Sequence, residues 1–587
     1  DLNEKKAVID TNRKFEESLF VTLSRASIDF EHTGDSFSAS ADLYFVNNND
    51  QPVDTYLFSL NPGLRVGSVS SAGKEIKYTT TGHIIGIDPP RPLAPGERDS
   101  ITISWSGSVD ESFCFPDNND NVNSAPYRVA MLNVNKRHAF VTPGYVLLTP
   151  ELHWYPVPAL NYYPSNPARL KADFSDYELR VKTGEGLIPV SQGNMKKEGY
   201  NFVITSDSPL TGLSLAIGNY RSDTLTVDSV KYITYYYPGH DYYKKDLSLL
   251  KDTLSFLVSG IMRDLETSYS ARYPFSALKL VEVPVQFRSF PRMNTQTKAE
   301  VQPSMVLLPE KLSMIENAGF QKRFTRQKNR MTRNNQVITD KELQVRVFND
   351  FARNTFISGE VTRYLMGERI SEPVRYLLGP SFYFFRNNFH SSEYPVINAV
   401  FESHLQKKIS ETDQFGSMSG DLKDNDRANL VLKNNSFRDV LAMNPKGDTI
   451  RTVLTLKGDY LFNLFRAKAG IDEFNEWFTS YLDSHRYRTV DVADLNGDMK
   501  EKFGFEFYPY LHDWFNSKDQ PGFLFSELMA REIITGNRVR FLVTFTASNP
   551  EPVTGIFNIT FRTAGEGGRQ MTGIYEGGRG GYTIMMQ

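Results

Sequence analysis

The sequence predicts a multidomain protein of the β and α+β classes: an N-terminal antiparallel β domain, a mixed-to-helical domain, and a short C-terminal β-sandwich domain that reads as truncated. Three observations predict it. Apolar residues alternate with period two from about residue 21 to 225, as half-buried antiparallel strands require. Near residue 245 the period changes to three and four, the spacing of an amphipathic helix. From about residue 537 period two returns. The predicted domains are therefore 1–225, 226–535 and 536–587, and 587 residues suffice for about three to five domains.

The elements follow in order. Residues 1–20 are polar and charged and suit a short helix. Phe37, Ala39, Ala41, Leu43 and Phe45 form one alternating run; Ile101, Ile103 and Trp105, then Tyr177, Leu179 and Val181, form others. Asn61-Pro62-Gly63 and Pro95-Gly96-Glu97 mark turns. Leu247, Leu250, Leu254, Leu257, Ile261 and Leu265 predict a helix, with Asp246 as its N-cap. Strands are expected at Leu278–Val285 and Val301–Leu308, and helices from about 340 to 535. The last clear helix is Tyr460–Leu482, with Leu461, Leu464, Phe465, Phe474, Trp477, Phe478 and Leu482 on its core face. In the tail Val539, Phe541, Val543 and Phe545 alternate, Ile556 to Phe561 follow, and glycine-rich turns occupy Gly565–Gly568 and Gly577–Gly581. That tail is about half the length of an immunoglobulin-type sandwich.

Composition narrows the function classes. Hydrophobic residues at 40% and aromatics at 13% supply several cores. A net charge of −3 gives no global attraction for nucleic acid. The single cysteine, Cys114, excludes an intrachain disulfide and a multi-cysteine zinc site. No apolar run approaches the ~18 residues of a membrane span. The chain opens on Asp1-Leu2-Asn3, without initiator Met or signal peptide, and stops at Met586-Gln587 within a strand pattern. This reads as a processed or excised fragment.

One segment stands out for its chemistry. Residues 348–356 read Phe348-Asn349-Asp350-Phe351-Ala352-Arg353-Asn354-Thr355-Phe356. A helical H-E-x-x-H sets two imidazoles one turn apart with a glutamate base beside them. This segment resembles the H-E-[LF]-A-H-Q-W-F helix of the aminopeptidase N-like zinc peptidases (gluzincins), with its zinc-binding letters replaced. Other segments resemble that family in the right order. His153-Trp154-Tyr155-Pro156 and the run Asn166 to Phe174 are similar to the end of its N-terminal domain. Lys279 to Pro284 is similar to the strand that opens its thermolysin-like domain. Lys457-Gly458, followed by Tyr460 to Gly470, resembles its Y-x-K-G helix start. Tyr510 to Trp514 with Gln520 to Phe523 resembles the domain's end. The nearest likeness is to the extracytoplasmic aminopeptidase-like region fused to bacterial ABC-type permeases.

The resemblance implies the following site. Asn349 and Arg353 match the two zinc histidines, and Asp350 matches the catalytic glutamate. Ala399, in Asn398 to Leu405, matches the third ligand, and Thr455 matches the transition-state tyrosine. Asn294 matches the amine-binding glutamate. The gap from Arg353 to Ala399, 46 positions, is longer than the family's and implies an insertion. A catalytic zinc needs three protein ligands and an open position. None of the three survives, and Arg353 carries a fixed positive charge. Zinc is therefore expected to be absent, with no other cofactor. Asp350 is expected to pair with Arg353 or another nearby cation.

Other candidates read more plainly. No two of the nine histidines lie four apart. Glu393, Glu402 and His404 form the one acidic and histidine cluster near the motif; an ordinary polar surface helix accounts for it better than a relocated metal site. Lys322, Arg323, Arg326, Lys328, Arg330 and Arg333 form a basic stretch that suits a solvated loop or helix, or a contact with anionic headgroups or an acidic partner. Asp494 to Asp498 fails the EF-hand spacing and suits a helix cap before Met499–Phe503. The glycine-rich tail lacks a phosphate-loop lysine. No G-x-S-x-G occurs, and Cys114 is a poor setting for an activated thiol. Tyr235-Tyr236-Tyr237, with Tyr242 and Tyr243, suits packing at a domain junction or a ligand-facing wall.

The expected function is a non-catalytic, aminopeptidase-like protein acting in binding or assembly outside the cytoplasm, in the periplasm, as the soluble part of a transport complex. Asn294, Asn349, Asp350, Arg353, Ala399 and Thr455 would line its vestigial cleft. The implied partners are a peptide or protein ligand and a membrane permease domain, and not nucleic acid. The alternatives are an active metallopeptidase with a relocated site, around Glu402 and His404, and a purely structural scaffold.

Overall fold

In a computed structural model of the chain, the alternating segments of the N-terminal region form an eight-stranded sheet. The structure describes residues 2–116, 128–129, 134–135, 137–165, 173–241, 243–289, 292, 299–310, 320–353, 356, 361–365, 368–372, 378–410, 424–443, 447–536, 538–551, 553, 555–562 and 579–586. Asn294, Tyr242, the segment 166–172 and the glycines at 565–578 lie outside the described residues.

The chain divides into two units. The first comprises Asp1–His390, Leu405–Thr412 and His485–Val490; the second comprises Ser391–His404, Asp413–Ser484 and Asp491–Gln587. In the first unit the long sheet runs in the order Asn194–Glu198, Asn201–Thr205, Asp176–Lys182, Thr22–His32, Phe37–Val46, Arg98–Gly107, Leu64–Ser71, Lys74–Glu75. All neighbours are antiparallel except Thr22–His32 with Asp176–Lys182. Period two places Phe37, Ala39, Ala41, Leu43 and Phe45 on one face, with Ile101, Ile103, Trp105, Tyr177, Leu179 and Val181, and all are buried. Trp105 and Trp154 join this core with their indole N–H groups satisfied, donating to Trp154 O (3.0 Å) and Leu213 O (2.9 Å). Burying each of these large side chains contributes roughly 1.5–3 kcal/mol. Helix α1 (Leu2–Phe15) is tied down by Asn12, which reaches Asn161 (2.9 Å) and His83 (2.8 Å).

A second, five-stranded sheet begins at Arg221, in the order Arg221–Val227, Val230–Tyr236, Ala277–Val283, Met305–Pro309, Val301–Gln302. Val230–Tyr236 and Ala277–Val283 are parallel, which demands a crossover. Helix α2 (Leu254–Tyr269) supplies it. The residue preceding α2 is Thr253, so Asp246 is not the cap of the long helix; it ends a separate turn, Tyr243–Asp246. Helices α3 (Phe320–Arg333) and α4 (Asp340–Ala352) follow.

The second unit is helical, then stranded. Its helices include the first half, up to His404, of α5 (Ile397–Ser410), then α6 (Phe437–Ala442), α7 (Gly447–Ala469), α8 (Ile471–Ser484), α9 (Val492–Phe503) and α10 (Tyr508–Asn516). Phe401, Phe462, Phe465, Phe474, Phe478 and Phe507 meet in its aromatic core. Four sequence expectations need correction here. The apolar repeat over Tyr460–Leu482 is two helices, broken at Gly470, whose φ of 87° ends α7. Asp494 to Asp498 lie inside α9, which Asp491 caps by accepting from Ala493 N–H (2.7 Å). Leu524–Thr535, expected within the helical region, is a strand paired with Arg538–Ser548. The preceding helix ends at Asn516, with Ser517 extended, and Ile533-Ile534-Thr535 favours extended backbone. A last hairpin pairs Gly555–Arg562 with Arg579–Met586, so Gly580 and Gly581 lie in a strand and not a turn. Among the described residues no helix is long and apolar enough to cross a membrane.

Candidate functional site

Two of the three matched zinc ligands and the matched base are carried by the end of α4. Its start is a capping box: Thr339 Oγ1 accepts from Glu342 N–H (3.2 Å), and the Glu342 carboxylate accepts from Thr339 N–H (2.9 Å). Leu343, Val347 and Phe351 recur every fourth residue and pack with Phe320 and Phe324 of α3. That register turns Asn349 and Arg353, one turn apart, away from this core. Asn349 is half-buried, and Asp350 and Arg353 are exposed. The Arg353 guanidinium forms an ion pair with Asp264 of α2. Asp350 Oδ2 accepts from the Gln327 amide of α3 (2.8 Å). Asp350 therefore meets a neutral amide, and the pairing with a cation expected of it is not what holds it.

The other two described positions lie in the second unit. Ala399 is buried within Ile397–Phe401, a run of α5 without a single exposed residue. Thr455 is on α7, where its hydroxyl lies 2.6 Å from that of Ser403 on α5. One residue on along α5 and one turn on along α7, His404 Nδ1 lies 2.8 Å from Asp459 Oδ1, and the imidazole stacks on Phe462 with ring centroids 4.1 Å apart. Glu402 and His404 are buried, at 0% and 7% exposure. The polar surface helix expected there is instead a polar seam between packed helices. Gly458 makes the seam possible. A Cβ at this position would sit 2.7 Å from Val400 O and 3.1 Å from His404 Cβ, closer than a side chain tolerates.

Lys457-Gly458 lies well inside α7 and does not start a helix. Lys457 Nζ donates to Trp514 O (2.7 Å), and Trp514 Nε1 donates back to Lys457 O (3.1 Å). The ammonium also faces the rings of Phe437 and Trp514. Burial pushes its pKa down to about 8, because a low-dielectric site penalises the charged form. Two motifs read separately in the sequence, Lys457-Gly458 and Tyr510 to Trp514, thus meet as one packing lock.

These side chains do not suit zinc. A guanidinium in an ion pair and a buried methyl group offer no lone pair, and Asn349 alone is short of a ligand set. Among the described residues no group of three or more His, Cys, Asp or Glu side chains is placed to hold a metal ion. Glu393 accepts instead from the hydroxyls of Tyr394 (2.9 Å) and Tyr508 (3.1 Å).

Sequence reasoning missed one polar cluster in the first unit. Lys279 and Glu282 sit in the strand Ala277–Val283, otherwise wholly apolar, and both are buried. Lys279 Nζ donates to Ser191 O and Gly193 O, each at 2.5 Å, and burial lowers its pKa to about 8. Glu282 accepts from Tyr237 N–H (2.9 Å) and bonds His240 Nδ1 (2.8 Å), while burial raises its carboxyl pKa. Tyr145, Tyr220, Tyr235 and Tyr237 pack around it, so this part of the tyrosine stretch is core. The signal was present: two charges in a strand with no polar face.

No protein-family model and no curated protein matches the chain. Solved structures do. The chain is similar to an M1 zinc metallopeptidase from Deinococcus radiodurans, with 13% identity, a TM-score of 0.46, and coverage of 86% of this chain and 96% of that one. A mutant of that organism's enzyme bound to a Tyr-Ser-Ala substrate gives 13% identity and 0.43 over the same shares. A two-domain M1 zinc metallopeptidase mutant bound to L-arginine gives 12%, 0.45, 85% and 96%. Similarity of this degree fixes neither family nor activity.

Proposed function

We propose that this chain is a non-catalytic, aminopeptidase-like protein whose zinc site has been dismantled and which serves binding or assembly. The observation that carries the reading is the pairing of Arg353 with Asp264. A ligand position of the resembled motif holds a permanent cation engaged in an ion pair. Ala399, buried in α5, and Thr455, facing Ser403, extend the reading to the second half of the motif. With no set of ligands, no water is acidified and no carbonyl polarised at these positions. Work outside the cytoplasm, beside or fused to a permease, with a peptide or protein ligand, is part of the same proposal and rests on the motif resemblance alone.

The test is metal content and hydrolysis together. Purified protein equilibrated with zinc and then desalted is expected to retain well under one zinc per chain and to leave aminoacyl-anilide substrates intact. Stoichiometric zinc that is lost on substituting Asn349, or hydrolysis abolished by chelator, overturns the proposal. The alternative site around Glu402 and His404 is weakened by geometry, since His404 is bonded to Asp459 and stacked on Phe462.

A further inference from the structure

We propose that α3 is a docking surface for an anionic phospholipid bilayer. The helix carries Lys322, Arg323, Arg326, Lys328, Arg330 and Arg333 and has no acidic residue. At 100° per residue, Lys322, Arg323, Arg326, Arg330 and Arg333 fall within about 100° of arc and along about 16 Å of helix. The apolar residues Phe320, Phe324 and Met331 occupy a different arc, and Phe320 and Phe324 pack with Leu343, Val347 and Phe351 of α4. Four of the five stripe cations are exposed, and Arg323 is half-buried.

Among the described residues nothing pairs with the stripe. None of the five side chains has a hydrogen-bond or ion-pair partner among the described residues, whereas Lys328, on another arc, pairs with Asp340 (3.0 Å). The nearby acids have other commitments: Glu342 in the capping box, Asp350 with Gln327, and Asp246 with Gln321. Five like charges are thus held within one to two screening lengths of each other, about 10 Å at 0.1 M salt. Such an arrangement repels itself until an anionic surface meets it.

A bilayer is favoured over an acidic polypeptide by what adjoins the stripe. The turn from α3 to α4 presents Val337 fully exposed, at 101%, four residues beyond Arg333. A cationic arc flanked by an apolar tip suits a surface that is anionic at its headgroups and apolar just beneath. It also suits flat docking without insertion of the helix, whose apolar side is already occupied. This reading is independent of the fate of the zinc site.

The full chain is mixed with phosphatidylcholine vesicles, with and without about one third phosphatidylglycerol, and sedimented. Partitioning is expected only with the anionic lipid, and is lost between about 0.05 and 0.5 M salt. Changing Lys322, Arg323, Arg326, Arg330 and Arg333 together to Gln lowers it by about tenfold or more. A charge-matched variant with Gln at Lys74, Lys77, Arg98, Lys196 and Lys197, exposed positions of the N-terminal region, retains most of it. The single change Val337→Asp, at a site with no packing to lose, lowers it by about threefold. The proposal is overturned by equal binding to both vesicle types, by equal loss in the two charge variants, or by soluble polyglutamate binding as tightly as the vesicles.

Discussion

The end of α4 and the crossing of α5 with α7 carry the two halves of the same resembled motif, and they differ in what the substituted residues do. At α4, Asn349, Asp350 and Arg353 are half-buried or exposed, Arg353 pairs with Asp264 of α2, and Asp350 accepts from Gln327 of α3. At the crossing, Ala399, Ser403, His404, Thr455 and Gly458 are packed so closely that one added methyl collides with backbone. The difference teaches that the first set of motif positions faces solvent, while the second set belongs to the core of its unit. Changes at the first should be cheap; changes at the second should lower stability measurably.

Gly458→Val tests the tightest contact. The clash with Val400 O and His404 Cβ predicts a loss of about 1–3 kcal/mol, read as a lower urea midpoint by tryptophan fluorescence. A midpoint equal to wild type would mean that the two helices are not held at this distance.

Lys457 gives the next effect, and its sign follows from the lowered pKa. Unfolded lysine holds its proton to about pH 10.4, whereas folded Lys457 loses it near 8. Between these values the unfolded state binds more protons, so stability rises with pH. Buried Lys279 contributes in the same direction. Between pH 8 and 9 urea stability should therefore climb by on the order of 1 kcal/mol per lysine, before the buried tyrosines Tyr145, Tyr177 and Tyr220, whose pKa is raised by burial, oppose the trend as unfolded tyrosine ionises near pH 10. Lys457→Met should flatten the climb by roughly half. An unchanged slope in this variant would show that the ammonium is solvated.

Arg353→Ala is expected to do least. Both partners of the Arg353–Asp264 pair are about half exposed, at 48% and 58%, and such pairs contribute about 0–1 kcal/mol. A loss comparable to that of Gly458→Val would erase the contrast between the two regions.

Some of this was legible in the residues and some was not. The alternation at Phe37 to Phe45 and at Ile101 to Trp105 named core residues directly, because a strand with one buried face repeats every second residue. The α4 pattern likewise showed which residues were missing from H-E-x-x-H. Leu524–Thr535 was not legible as a strand, because its apolar spacing suits either period until a partner strand is known. Glu402 and His404 read as surface because charged and aromatic-polar residues are rarely buried unless paired. The partner that buries His404, Asp459, lies 55 positions away.

By itself the sequence determined the order of β, mixed and β regions and the identity of the residues at the motif positions, since both follow from local periodicity and side-chain chemistry. Only the tertiary structure decided that Arg353 meets Asp264, that Gly458 lets α5 and α7 touch, and that five cations of α3 share one bare arc. Each depends on which distant residue, if any, is brought within a few ångströms, and local spacing carries no record of that distance.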